Sequence, residues 1–183
     1  MTAIGLESGL NAAGQETKDI VVAVIDSGSP VTTSTAWTTS NFITSGYDFV
    51  DNDTDPTDGQ ASSTGALSEG LSHGTHVGTT IGAKNDGNNI NGFGIKVLPL
   101  RALNLEGKGT SYDIANAMLY AAGLPNESGS IAPTSEGPVK VINMSLGGPT
   151  GGWSCPYTSV INDVIAQGAT IVASSGNDAL KLP

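Results

Sequence analysis

Short apolar runs rich in β-branched residues are spaced along the chain and predict the strands of a sheet. The most apolar run covers residues 18–25 (KDIVVAVI) and ends at a clear turn, Asp-Ser-Gly-Ser-Pro. A run of this composition, without alternating polar positions, is typical of a strand buried on both faces. Comparable runs predict strands at residues 95–101, 139–144 and 170–173, and a weaker one suggests a strand at 47–50.

Segments with the periodicity of a helix alternate with these predicted strands along the chain. Apolar residues recur every three or four positions between residues 114 and 122, and Gly123 closes that pattern. A helix of small residues is predicted over 73–83, buried and with Ser72 as its N-cap. A last helix, stopped by Gly168, has an apolar stripe of Val160, Ile161, Val164 and Ile165. Because strands alternate with helices, we predict an α/β fold: a doubly wound, mostly parallel sheet flanked by helices.

The length and composition fit one globular domain over residues 1–183, with 38% hydrophobic residues. Seventeen acidic residues against seven basic ones give a net charge of −10. This sign argues against nucleic acid or an anionic membrane surface as a partner, since both attract basic patches. No stretch approaches the length of a membrane span, and no signal peptide is visible at the start. The single cysteine, Cys155, has no partner for a disulfide within these residues.

Polar side chains follow three of the predicted strands, and a histidine begins one of the predicted helices. Asp26 follows the first strand, Ser145 the third and Asn177 the fourth, while His73 begins the helix of small residues. The carboxyl ends of parallel strands lie at one end of a sheet, where ligands and catalytic groups gather. Each of these residues alone is also typical of a turn, a cap or a structural histidine. It is their combination that indicates chemistry.

Four sequence blocks carry a specific resemblance. They are VIDSG (24–28), HGTHV (73–77), NMSLGG (143–148) and ASSGN (173–177). In this order and spacing they resemble the signature blocks of the subtilisin-like serine proteases, the subtilase family, over nearly the whole chain. The resemblance implies a subtilisin-like fold and a hydrolase that cleaves peptide bonds with an Asp-His-Ser catalytic triad.

The resemblance assigns roles to three residues. A serine hydroxyl is a weak nucleophile until an imidazole accepts its proton. His73 matches that general base, Asp26 the carboxylate that orients it, and Asn177 the amide donor of the oxyanion hole. The family's nucleophile lies in a Gly-Thr-Ser-x-Ala block that has no match here. We therefore expect residues 1–183 to be the N-terminal portion of the catalytic domain, truncated before the nucleophilic serine and inactive alone.

Substrate binding in this family resembles the addition of a strand, with an extended peptide lying between two edge segments. The matching positions are Gly107, Lys108 and Gly109 on one side and Ser145, Leu146 and Gly147 on the other. Glycines suit such positions because two backbones must approach closely. Without the resemblance, an ordinary loop is the simpler interpretation of residues 107–109.

Two loops rich in carboxylate and amide side chains are candidates for structural calcium, which the resembled family commonly binds. They span residues 48–58 and 85–91, and the proposed ligands are Asp51, Asp53, Asn85 and Asp86. Calcium takes about six to eight oxygen ligands from irregular loops, although solvated polar loops explain the same composition. A zinc site at His73 and His76 fails, since helical zinc proteases use His-Glu-x-x-His. No organic cofactor is predicted.

Two interpretations from different functional classes are compared. In the first, the chain is a piece of a secreted endopeptidase that acts on protein or peptide substrates in extended conformation. In the second, it is a non-catalytic module that holds extended peptides without cutting them. The joint presence of Asp26, His73 and Asn177 favours the first. A folded piece would also expose strand edges, so its own C-terminal segment or a second copy is a further candidate partner.

Overall fold

A computed structural model describes residues 20–30, 35–38, 40–58, 73–84, 92–130, 137–148 and 155–177. Its centre is a five-stranded sheet in which every pairing is parallel, in the order β2-β3-β1-β4-β5. The strands are β1 (Val21–Asp26), β2 (Tyr47–Asp48), β3 (Lys96–Arg101), β4 (Val141–Met144) and β5 (Thr170–Ala173). The parallel sheet predicted from the spacing of the apolar runs is confirmed.

Strand β1 lies in the buried middle of the sheet. It pairs along its whole length with β3, and all six of its residues are buried. Alternate residues of a strand point to opposite faces. Ile25 belongs to the larger hydrophobic cluster on one face, and Val24 to the smaller cluster on the other. Burial on both sides therefore explains the uninterrupted apolar run.

The described residues include four helices: α1 (Thr35–Thr38), α2 (His73–Gly82), α3 (Ser111–Ala121) and α4 (Thr158–Ala166). Helix α2 packs with the smaller hydrophobic cluster through Val77 and Ile81, whereas α3 and α4 contribute to the larger one. Helices on both faces of a parallel sheet form the doubly wound arrangement predicted from the sequence. No helix in this part of the chain is long and apolar enough to cross a membrane.

The weakest of the predicted strands is shorter than expected. The run at 47–50 forms a strand only at Tyr47–Asp48, after which the chain turns. The cause is local, because the Asp48 carboxylate accepts the backbone N–H groups of Val50 and Asp51 and bends the chain over itself. Two parts of the predicted elements lie outside the described residues: Ser72, the predicted N-cap of the helix at 73–83, and residues 18–19, the start of the first apolar run.

The far edge of the sheet is more exposed than the apolar pattern suggests. Ile165 belongs to the apolar stripe predicted for α4, yet it is 54% exposed, whereas Val164 is fully buried. Successive helix residues are about 100° apart, so Val164 faces the core and its neighbour turns away from it. Strand β5 is the edge strand, and its Val172 is 50% exposed.

Candidate active site

The carboxylate of Asp26 lies at the carboxyl end of β1 and is fully buried. Its Oδ1 accepts the backbone N–H of Ser27 at 2.7 Å and lies 2.7 Å from Nδ1 of His73. The backbone carbonyl of Asp26 accepts N–H groups from Ala102 and Leu103, just beyond β3. Main-chain and side-chain hydrogen bonds together fix the orientation of this carboxylate.

His73 is the first residue of α2, and its side chain is 49% exposed. Because Nδ1 is held by the Asp26 carboxylate, Nε2 is the ring nitrogen left to exchange a proton with another group. A buried carboxylate on one nitrogen, combined with solvent access to the ring, is the arrangement that a general base requires. In the described part of the chain, no serine hydroxyl is hydrogen-bonded to His73.

The end of β1 and the start of α2 touch directly, main chain against main chain. A Cβ atom at Gly74 would lie 2.3 Å from the carbonyl oxygen of Gly28. Gly28 itself has a φ of 127°, where a residue with a side chain would be strained. These two glycines therefore allow the close approach that brings Asp26 and His73 within hydrogen-bonding distance.

Burial raises the pKa of the Asp26 carboxyl above its ordinary value of 3.8, although the hydrogen bonds from His73 and Ser27 act in the opposite direction. The charge of Asp58 adds to the rise in this pKa. The second carboxylate oxygen, Oδ2, is buried and has no hydrogen-bond partner within the described residues. The fold thus buries a carboxylate that has hydrogen-bond partners for only one of its two oxygens. Buried titratable groups of this kind are common at functional sites.

We expect the pH to change the effect of Asp26→Asn on stability in a defined direction. Asp26 titrates near 3.8 in the unfolded chain and at a higher pH in the folded protein. Between these values the folded state binds more protons, so the contribution of Asp26 to the free energy of unfolding falls as the pH rises. Asparagine does not titrate and escapes this loss. The free energy of unfolding of the variant, minus that of the unsubstituted protein, should therefore increase with pH.

Urea unfolding at several pH values on both sides of 3.8 measures this difference. The series covers about pH 3 to 6, the range in which carboxyl groups titrate. A difference that decreases with rising pH would contradict the raised pKa.

Asn177 and residues 145–147 lie beyond neighbouring strands at the end of the sheet where Asp26 is found. Strands β4 and β5 pair along four residues, and the Ser174 hydroxyl beyond β5 donates to the Leu146 carbonyl at 3.0 Å. Asn143 in β4 donates its side-chain N–H to the Ser145 hydroxyl at 3.0 Å. Asn177, three residues past Ser174, is exposed.

The other predicted substrate segment, Gly107, Lys108 and Gly109, forms an exposed turn beyond β3. The backbone N–H of Asn104 donates to the Lys108 carbonyl at 2.8 Å, and Gly107 has a φ of 70°. The Lys108 ammonium pairs with the Glu106 carboxylate at 2.8 Å, in full contact with solvent. Leu146 in the facing segment is half-buried against the larger hydrophobic cluster, whereas Gly147 is exposed.

Two of the four proposed calcium ligands belong to the described residues. The Asp51 carboxylate pairs with the Arg101 guanidinium at 2.6 Å, and Asp53 accepts the backbone N–H of Asp55 at 2.8 Å. Within the described ranges, no three His, Cys, Asp or Glu side chains are grouped so that they could hold a metal ion. The other two proposed ligands, Asn85 and Asp86, lie outside the described residues.

Sequence reasoning missed two buried charged residues near the site. Asp58, assigned to a polar loop, is 8% exposed and accepts hydrogen bonds from Ser27 and Thr75. Arg101, assigned to the end of a strand, has a side chain that is 8% exposed and paired with the buried Asp48. An arginine at the end of a buried apolar run is itself a signal. Because a buried charge needs a partner, a carboxylate from elsewhere in the sequence must lie close to it in space.

A doubly wound α/β sheet that holds a buried aspartate against an accessible histidine is an arrangement suited to acid-base chemistry. The family model of the subtilases matches residues 17–182. The chain therefore belongs to the subtilase family.

Individual relatives agree with this family. An extracellular protease of Xanthomonas campestris pv. campestris is 38% identical over 185 residues, covering 87% of this chain and 29% of that protein. A thermophilic serine proteinase of Bacillus sp. strain AK1 is 34% identical over 173 residues, covering 91% of this chain and 34% of that protein. The solved structure of a protease from Pseudoalteromonas arctica has a TM-score of 0.69 and 31% identity, covering 88% of this chain and 51% of that one. The chain thus spans only part of the length of its relatives.

Proposed function

We propose that this chain supplies the aspartate and histidine of a serine endopeptidase that hydrolyses peptide bonds in proteins. The proposal is carried by the 2.7 Å contact between the buried Asp26 carboxylate and Nδ1 of the half-exposed His73. Membership of the subtilase family supports the same chemistry. In this proposal residues 1–183 are the N-terminal portion of one peptidase domain, and the nucleophilic serine lies outside them, in the length that the relatives have beyond the matched region.

The proposed reaction begins when Nε2 of His73 takes the proton of the serine hydroxyl and the serine oxygen bonds to the substrate carbonyl carbon. The carbonyl oxygen becomes an oxyanion, to which the side-chain amide of Asn177 donates a hydrogen bond. The imidazolium then gives its proton to the leaving amine as the peptide C–N bond breaks, which leaves an acyl-enzyme. Water hydrolyses this ester, with His73 again as the base. Asp26 stabilises the imidazolium throughout and takes no proton.

Residues 107–109 and 145–147 are proposed to hold the substrate in an extended conformation. The two segments follow β3 and β4, which are the two neighbours of β1 in the sheet. A peptide lying between them would therefore cross the carboxyl end of β1, where Asp26 lies. Backbone pairing of this kind binds many sequences, with selectivity left to side-chain pockets.

We also propose that the complete protein binds calcium and is secreted. Subtilases generally bind calcium, and Asn85 and Asp86 offer the oxygen donors it prefers, whereas the Asp51 carboxylate is engaged by Arg101. Secretion is supported by relatives named as extracellular proteases. A melting temperature that stays the same when calcium is replaced by a chelator would contradict calcium binding. Retention of the native protein inside the producing cell would contradict secretion.

A serine-directed phosphonate probe tests the peptidase proposal. We expect the complete protein to gain the mass of one phosphonyl group on a serine outside residues 1–183, and the isolated chain to gain none. The label should be lost in His73→Ala, because the serine is then not activated. A folded complete protein that binds peptides but takes no label would favour the non-catalytic binding module instead.

A further inference from the structure

The side chain of Asp58 joins the two segments that carry Asp26 and His73. Its Oδ1 accepts the hydroxyl proton of Ser27, the residue after Asp26, at 2.6 Å. Its Oδ2 accepts both the backbone N–H and the hydroxyl of Thr75, two residues after His73, at 2.9 and 2.5 Å. One carboxylate therefore bridges the end of β1 and the first turn of α2.

A further hydrogen bond closes this bridge. The Ser27 hydroxyl oxygen accepts the backbone N–H of Gly74 at 2.9 Å while its proton goes to Asp58. The N–H groups of the first turn of a helix have no acceptor within the helix. Ser27 and Asp58 supply these acceptors for Gly74 and Thr75, and a negative charge is favourable at this end of a helix. The bridge thus stabilises the turn on which the histidine is mounted.

The backbone of Asp58 is held independently of its side chain. Its N–H donates to the Ser29 carbonyl at 2.6 Å, and the Ser29 N–H donates to the Pro56 carbonyl at 2.8 Å. Asp58 is 8% exposed and Ser27 is 3% exposed, so water has little access to the bridge. A substitution at Asp58 should therefore remove the bridge while the main-chain attachment of the loop remains.

We infer that Asp58 is a positioning residue for the Asp26–His73 pair, acting through Ser27 and Thr75 without touching the substrate. This inference rests on the proposed peptidase function. Without the bridge, the first turn of α2 is held less firmly against the end of β1, and the hydrogen bond between Asp26 and His73 loosens. A displacement of about 1 Å at such a site lowers a rate by about 10²-fold.

The kinetic test uses three variants of the complete protein. Asp58→Ala should lower kcat by about 10²-fold with little change in KM, because the bridge acts on the base and lies outside both substrate segments. Asp58→Asn keeps the shape of the bridge and an acceptor for Thr75, so it should lose less activity; a larger loss than in Asp58→Ala would overturn the inference. Asp163→Ala removes an exposed carboxylate on α4 and should leave both constants unchanged.

A spectroscopic test does not depend on hydrolysis. The proton between Asp26 and His73 should give a far-downfield ¹H NMR signal, and because the chain has two histidines, its loss in His73→Ala assigns it. We expect this signal in the unsubstituted protein and in Asp163→Ala, and its broadening by exchange with water in Asp58→Ala, each recorded well below the melting temperature. An unchanged signal in folded Asp58→Ala would overturn the inference.

Ser27→Ala replaces Asp58→Ala in both tests if Asp58→Ala does not fold. It removes the hydroxyl that links Asp58 to Gly74 and leaves the carboxylate in place. Lower kcat with a broadened signal is again the expected result, and no change in either would overturn the inference. Failure of the peptidase function looks different: the unsubstituted protein would neither hydrolyse peptides nor take the phosphonate label, and the NMR comparison would still decide the role of Asp58.

Discussion

His73→Ala in the complete protein is expected to lower kcat for peptide hydrolysis by about 10⁶-fold. This figure comes from subtilisin itself and is carried over from the family. The physical reason is that the serine hydroxyl loses the only base positioned to take its proton, and the leaving amine loses its acid. The buried Asp26 carboxylate cannot substitute, since it lies on the far side of the ring. Steady-state hydrolysis of an extended peptide measures the loss.

His76→Ala is the matched control for this experiment. His76 lies in the same helix, is exposed, and completes the pair of histidines in the chain. Its side chain has no role in the proposed reaction, so kcat and KM should stay near those of the unsubstituted protein. Hydrolysis that survives in His73→Ala, or that is lost equally in His76→Ala, would remove the basis of the assignment.

Arg101→Met is expected to lower the free energy of unfolding by about 3–5 kcal/mol, because it leaves a buried carboxylate without its counterion. The guanidinium is 8% exposed and pairs with Asp48, which is 3% exposed, and with the more accessible Asp51. The pair also connects β3 to the last residue of β2, so its loss affects the sheet as well as the charge. Urea or thermal unfolding measures the difference.

Two controls separate the buried ion pair from a general effect of losing a cation. Lys108→Met breaks an ion pair whose side chains are 76% and 69% exposed, and an exposed pair of this kind contributes little to stability. The double variant Asp48→Asn with Arg101→Met removes both charges and should be more stable than Arg101→Met alone. If the double variant were the less stable of the two, the unpaired carboxylate would not be the source of the cost.

Elements with a strong local signal could be predicted from the sequence. The apolar run of β1 and the three-to-four periodicity of α3 each reflect burial of one segment, so each is visible in that segment alone. The cap of α3 was visible too, in Thr110 and Asp113, whose side chains each accept the other's backbone N–H, although it was not used. The exposure of Ile165 could not be predicted, because periodicity shows which side of a helix is apolar and not whether another element covers it.

The chemistry of the site was only partly accessible in this way. Asp26 and His73 were singled out by the motifs around them, and the structure brings them together. Asp58 was grouped with the other carboxylates of residues 48–58 as part of a candidate calcium loop, because composition cannot show which of the five carboxylates are buried. The pairing of Arg101 with Asp48 depends on a contact between parallel strands far apart in the chain, which leaves no local periodicity to detect.

The parallel pairing of all five strands has a consequence for how the protein folds. Strand β1 meets its neighbours only through residues distant in sequence, such as Val21 with Lys96 and Val22 with Val141. Each of these contacts closes a long loop, and the entropy of closure is lost before many native contacts compensate for it. Slow folding is the expected result. Because His73 reaches Asp26 across the same kind of long connection, a nascent or partly folded chain lacks the contact between them. If the proposed function holds, activity begins only after the parallel strands have paired.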